Sequence, residues 1–121
     1  MIDYTLDEAN SVLHVRPTGP LEKEDFDALA GAVDPFIERT GALDGLLIET
    51  ARFPGWSDLG AAARHFRFVR EHHRKIKKVA IVTDSPLGEA AERIASHFVA
   101  AKIHRFSFGE VDEAKAWLCS N

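Results

Sequence analysis

"DGLLIET", residues 44–50, is an apolar run broken only at its ends. It shows no alternation, and a run of this kind marks a strand buried on both faces. "ARFPGWSDLG" (51–60) follows it, a connector carrying two large aromatics. "SDLGAAARHFRFVREHH" (57–73) then reads as a helix, with Leu59, Ala62, Ala63, Phe66 and Val69 expected on its inner side and Ser57 or Asp58 capping its first N–H groups. Upstream, "LEKEDFDALAGAVDPFIERTG" (21–41) opens with acids, where the helix dipole favours them. It repeats Phe26, Leu29, Val33, Phe36 and Ile37 at three- and four-residue steps. Pro35 is expected to kink or break it, and Gly41 to end it.

The flanks extend this pattern. "IDYTLDEANSVLHVRPTG" (2–19) reads as a hairpin: Ile2, Tyr4 and Leu6 alternate with Asp3, Thr5 and Asp7, "DEAN" supplies turn chemistry, and Val12, Leu13 and Val15 form the return strand. "KKVAIVTDS" (77–85) is a second buried strand, and "PLGEAAERIASHFVAA" (86–101) a helix with Pro86 near its first position. "KIHRFSF" (102–108) alternates as a last strand, and "GEVDEAKAWLCSN" (109–121) is a short helix turning Val111, Ala114, Trp117 and Leu118 inward. The order β-β-α-β-α-β-α-β-α predicts an α/β fold: a mixed, mainly parallel sheet of about five strands, with an N-terminal hairpin and four helices. At 121 residues the chain has room for one domain, expected over 1–121.

Composition narrows the function classes. Apolar content of 45% and charged content of 28% are those of an ordinary globular chain, and no apolar run approaches a membrane span. The acidic start lacks a basic-then-apolar signal pattern, and the single cysteine, Cys119, cannot build a disulfide framework or a zinc site, so a reducing cytoplasm is the expected location. The net charge of −4 is unevenly spread. Residues 1–44 hold ten acids against three bases, whereas "RHFRFVREHHRKIKK" (64–78) holds seven Lys/Arg, three His and one acid. Such a run can meet phosphate or anionic lipid, but it reads first as a solvated helix face. The acidic whole and the lack of stacking aromatics in a sheet pattern argue against nucleic acid.

No nucleotide-binding glycine loop and no nucleophile elbow is present, and the six His have no metal-ligand spacing, so no cofactor or metal is expected. Glu49, Asp84 and His65 are the only titratable residues placed near the sheet's carboxyl end, which makes an enzyme the weakest of three readings. In open parallel sheets, ligands bind beyond the carboxyl ends of the strands. The loops "ARFPGWSD" and "DSPLG" both fall there and are expected to flank one concavity. The candidate ligand- or partner-binding residues are therefore Phe53, Trp56, Ser57, Asp58, Asp84 and Ser85, with Phe66 and Phe68 from the adjoining helix. Phe66 and Phe68 lie two apart and cannot face the same way. If Phe66 is buried, Phe68 is left exposed for a dimer contact.

Four stretches carry a family resemblance: "GPLEKEDFDAL", "LLIETARFPGWSDLGA", "KKVAIVTDS" and "RFSFGEVDEAKAWL". They resemble the SpoIIAA-like proteins, relatives of the STAS domain, whose fold is also compared with CRAL-TRIO lipid carriers. The resemblance implies a small α/β domain and no established enzyme activity. In STAS anti-sigma antagonists a phosphorylatable serine lies in a D-S-S-G turn between a strand and a helix, which the resemblance places near Ser57. This chain reads W-S-D-L-G there, so capping is the reading taken for Ser57. The leading expectation is a non-catalytic binding or regulatory module acting through the loops after the third and fourth strands, with another protein as partner or a second copy as homodimer. The alternative is a carrier of a lipid or apolar small molecule, with a cavity under the second helix lined by Phe66 or Phe68 and Phe98.

Overall fold

The computed structural model describes residues 1–86 and 100–120. Of the helix expected over 86–101, residues 87–99, Phe98 among them, lie outside the described residues, and 100–101 are not helical. Strands β1 (Ile2–Asp7), β2 (Val12–Pro17), β3 (Leu43–Glu49), β4 (Ile76–Val82) and β5 (Lys102–Phe106) form one sheet in the order β1-β2-β3-β4-β5. β1 and β2 pair antiparallel, while β2–β3, β3–β4 and β4–β5 pair parallel, giving a mixed sheet. Three α-helices are present among the described residues, α1 (Lys23–Thr40), α2 (Leu59–His72) and α3 (Val111–Leu118). A 3-10 turn, His73–Lys75, joins α2 to β4.

Register sorts the side chains onto two faces. Val12↔Gly45↔Lys78↔Lys102 and His14↔Leu47↔Ala80↔His104 form rows on one face. Leu13↔Leu46↔Val79↔Ile103 forms a row on the other, since neighbouring residues of a strand point oppositely. The second face meets α1: Leu13 and Val15 pack with Phe26, Leu29, Val33, Phe36 and Ile37. The first face meets α3: Val12, Leu47, Ala80 and Val82 pack with Ala114 and Leu118.

Local chemistry sets the helix limits. The Asp25 carboxylate accepts the Glu22 N–H at 2.8 Å and opens α1. Gly41, at φ 94°, closes it by donating to the Ile37 carbonyl at 2.7 Å. Pro35 does not break α1, contrary to expectation. Its ring lies on the exposed face, so the Gly31 carbonyl that loses a partner there can bond water, while Val33, Phe36 and Ile37 hold the opposite face in the core. α3 is pinned at its C-terminus by Lys78 of β4, whose Nζ donates to the carbonyls of Trp117 at 2.9 Å and Ser120 at 2.7 Å.

α2 turns a different side inward from the one its apolar residues suggest. Leu59 and Phe66, expected inside, are 89% and 66% exposed. Ala61, His65, Phe68 and His72 face the protein instead. His72 is buried because both ring nitrogens find acceptors: Nδ1 meets the Phe68 carbonyl at 2.8 Å, and Nε2 meets Asp34 of α1 at 2.7 Å. Phe68 stacks on its ring at 4.1 Å. An inner stripe written partly in imidazoles counts as polar in any hydropathy pattern, which is why the pattern points to the wrong side.

Candidate functional site

Leaving β3, the chain crosses to the start of α1. The Leu21 N–H donates to the Gly55 carbonyl at 2.8 Å, and the Ser57 N–H donates to the Leu21 carbonyl at 2.8 Å, so Leu21 and Trp56 form a one-residue parallel bridge. Gly55 makes this possible at φ 80°, a conformation L side chains resist. Asp58 then caps α2, its carboxylate accepting the Ala61 N–H at 2.8 Å; of the two residues expected to cap, Asp58 does so.

These bonds hold Trp56 in an aromatic cluster. Its ring meets Phe53 edge-on at 5.1 Å and Phe66 at 6.1 Å. Its Nε1–H donates to Nδ1 of His65 at 3.1 Å. His65 stacks on Phe26 of α1 at 4.8 Å, and Phe26 touches Phe68 at 6.0 Å. The cluster thus runs from the core to the surface. It ends in Trp56, still 38% exposed, beside Phe66 and Leu59. Leu59 and Phe66 are seven apart, on the same side of α2 two turns away. Exposed Arg67 and Arg70 of α2 neighbour Phe66, Arg67 being paired with Glu71.

The other predicted site residues lie apart from the cluster. The loops after β3 and β4 do meet: the Asp84 N–H donates to the Ala51 carbonyl at 3.2 Å, and the Thr83 hydroxyl to the same carbonyl at 3.3 Å. Asp84 is exposed and accepts the Phe108 N–H at 3.1 Å, whereas Ser85 is buried. "FPGW" is tied to Leu21, and the "DSPLG" loop, expected to flank the same concavity, is described only as far as Pro86. The smaller cleft, about 100 Å³ between α1 and α2, includes Phe68 but not Phe66. That falls below the roughly 300 Å³ at which ligand pockets begin. The larger one lies on the opposite face of the sheet. The dimer expectation assigned the exposed phenylalanine to position 68; Phe66 occupies that role, and Phe68 packs against the core.

Glu49, Asp84 and His65 are not brought together. Glu49 pairs with His14 at 2.8 Å, His65 with Trp56, and Asp84 with the Phe108 backbone. Among the described residues no group of three or more His, Cys, Asp or Glu is arranged to hold a metal ion. No helix there is long and apolar enough to cross a membrane.

Burial holds His65 below the ordinary histidine value of 6.5. Burial does the same to His14, outweighing the opposing hydrogen bond that its ring donates to Glu49. Both folded values are depressed, so below about 6.5 the unfolded chain takes up protons that the folded chain resists. Stability is therefore full above that pH and falls as pH drops toward the lowered values. The thermal midpoint is expected to hold between pH 8 and 7 and to decline between about 6.5 and 5. It should decline less in His65→Gln; a flat midpoint across this window would count against both burial arguments.

A family model described as SpoIIAA-like matches residues 12–119. Among solved structures, the chain is similar to an uncharacterized protein of the DUF3478 family with a SpoIIAA-like fold from Shewanella loihica PV-4. The two share 24% identity and a TM-score of 0.76, over 98% of this chain and 93% of that one. No curated protein matches.

Proposed function

The chain belongs to the SpoIIAA-like family, and we propose that it is a non-catalytic module that docks another protein through the Trp56–Leu59–Phe66 surface. The observation that carries this reading is the state of Trp56. Its neighbours Gly55 and Ser57 are bonded to Leu21 and its indole N–H to His65, yet more than a third of it faces solvent. A large aromatic already held in one conformation contributes contact area with little ordering cost, which is what interface anchors do. Phe66 lies against it and Leu59 stands on the same side of α2, an exposed apolar patch, and Arg70, one turn beyond Phe66, adds positive charge suited to an acidic partner surface. Ser57 and Asp58 are exposed at its edge, with the Asp58 carboxylate already engaged as the cap.

Sedimentation velocity of the purified chain, together with cross-linking in extracts of its own cells, tests the proposal. Wild type is expected to form a defined complex with one other protein that Phe66→Ser and Trp56→Ala each weaken at least tenfold. Phe66→Ser should leave stability within about 0.5 kcal/mol, because the ring is mostly in water already. Complexes that survive both substitutions undiminished would sink the proposal.

A further inference from the structure

α3 has eight residues, about 12 Å at 1.5 Å per residue, and packs on β3, β4 and β5. The β1–β2 half of the same face extends beyond it. What stands there is polar: Thr5 and Asp7 from β1, His14 and Arg16 from β2. With Asn10, Val12, Lys115 and Cys119 they enclose a trough of about 420 Å³, within the usual range of small-molecule sites.

The hydrogen bonds in this trough are lopsided. Arg16 donates to Nδ1 of His14 at 3.3 Å and reaches the Thr5 hydroxyl at 3.4 Å, both neutral acceptors. Arginine has no acceptor atom, so Nδ1 of His14 accepts, and Nε2 carries the proton given to Glu49 at 2.8 Å. Asp7 accepts from the Asn10 N–H at 3.1 Å and from Nδ2 of Asn10 at 2.8 Å. Both carboxylates are thus turned to donors of their own chain. The cations are not matched in the same way: among the described residues neither Arg16 nor Lys115 has a carboxylate within ion-pair distance. Arg16 has five N–H donors and uses two on neutral atoms. A half-buried guanidinium with donors to spare, facing a lysine across a trough, is the arrangement that recognises an oxyanion.

We infer that this trough binds a small molecule through an oxyanion group, phosphate or carboxylate, held between Arg16 and Lys115. The site is on the sheet face opposite α1 and is independent of the docking surface. Burial lowers the pH at which His14 titrates, the positive charges of Arg16 and Lys115 add to that, Glu49 opposes them, and Asp7 faces Lys115 across the trough. An oxyanion seated between those cations offsets them and raises the pH at which His14 titrates.

Titration of the isotopically labelled full chain with sodium phosphate and, separately, sodium citrate, at constant ionic strength and followed by NMR, decides the matter. Saturable shifts at Thr5, His14, Arg16 and Lys115 are expected, with the His14 titration moved upward at saturation. Lys115→Gln, at an exposed helix position, should keep the wild-type melting temperature and weaken binding roughly tenfold, the worth of one charged hydrogen bond; Arg16→Gln should weaken it at least as much. Trp56→Ala should leave it unchanged, so failure here is separable from failure of the docking proposal. Saturation by phosphate alone identifies a phosphoryl ligand, and by citrate alone a carboxylate. Shifts that stay linear in both salts, or a folded Lys115→Gln that binds as tightly as wild type, would overturn the inference.

Discussion

Gly45→Val is expected to destabilise the protein by about 3 kcal/mol and to lower its melting temperature on the order of 10 °C. Gly45 lies in β3 under α3. A Cβ placed on it would stand 3.0 Å from Cδ2, 3.2 Å from Cβ and 3.3 Å from Cδ1 of Leu118. Leu118 is itself buried against Leu47, Ala80 and Val82, so it has nowhere to retreat. Valine adds two methyl groups beyond that Cβ, and α3 must lift or β3 must bend. Leu118→Ala alone should cost about 2–5 kcal/mol through the cavity it leaves. The two substitutions together should cost clearly less than their sum, because the cavity receives the new side chain. Chemical denaturation of the four proteins completes the cycle, and additive losses would show that the two residues do not press on each other.

Phe26→Ala is expected to cost about 3–5 kcal/mol and also to loosen the docking surface. Phe26 is buried in α1 with Leu13, Leu29 and Phe68, and its ring backs His65 at 4.8 Å. His65 in turn accepts the indole N–H of Trp56. Without the ring behind it, His65 loses its stacking partner and the Trp56 hydrogen bond loses its fixed acceptor. The chain has two tryptophans, so the two indole N–H signals in NMR report the effect. The Trp56 signal should shift toward that of a solvent-exposed indole, and the Trp117 signal, on the far face of the sheet, should stay in place. If both stay in place while stability falls, Phe26 supports the core alone and does not position the loop.

The order of the elements among the described residues and the family were legible because they rest on local signals. The continuous apolar run at 44–50 lies within a residue of β3, and the stretch 77–85 starts one residue inside β4 and runs three beyond its end. The alternation of Ile2, Tyr4 and Leu6 with Asp3, Thr5 and Asp7 carries through into the two faces of β1. Gly41 ends α1 because only glycine takes its left-handed conformation without strain. The stretches quoted for the SpoIIAA-like resemblance, between residues 19 and 118, all fall inside the region that the family model matches. The loop at 51–58 stood out because a tryptophan and a phenylalanine in a connector have no local reason to be there.

Other features depend on partners far away in the chain. α2 carries apolar residues on two sides, and its own periodicity cannot choose between them. His72 becomes an interior residue only when Asp34, thirty-eight positions earlier, offers it a carboxylate. The polar trough exists because α3 is short and Leu118 settles on Gly45, seventy-three positions earlier, leaving the β1–β2 half of that face to Thr5, His14 and Arg16. By itself the sequence determined strands, helix limits and family, because backbone conformation and hydrophobic period act over a few residues. Tertiary structure alone decided which face of α2 is inside, which phenylalanine is exposed and where the cations of the hairpin and α3 converge, because those depend on charges and shapes that meet only when the sheet is assembled.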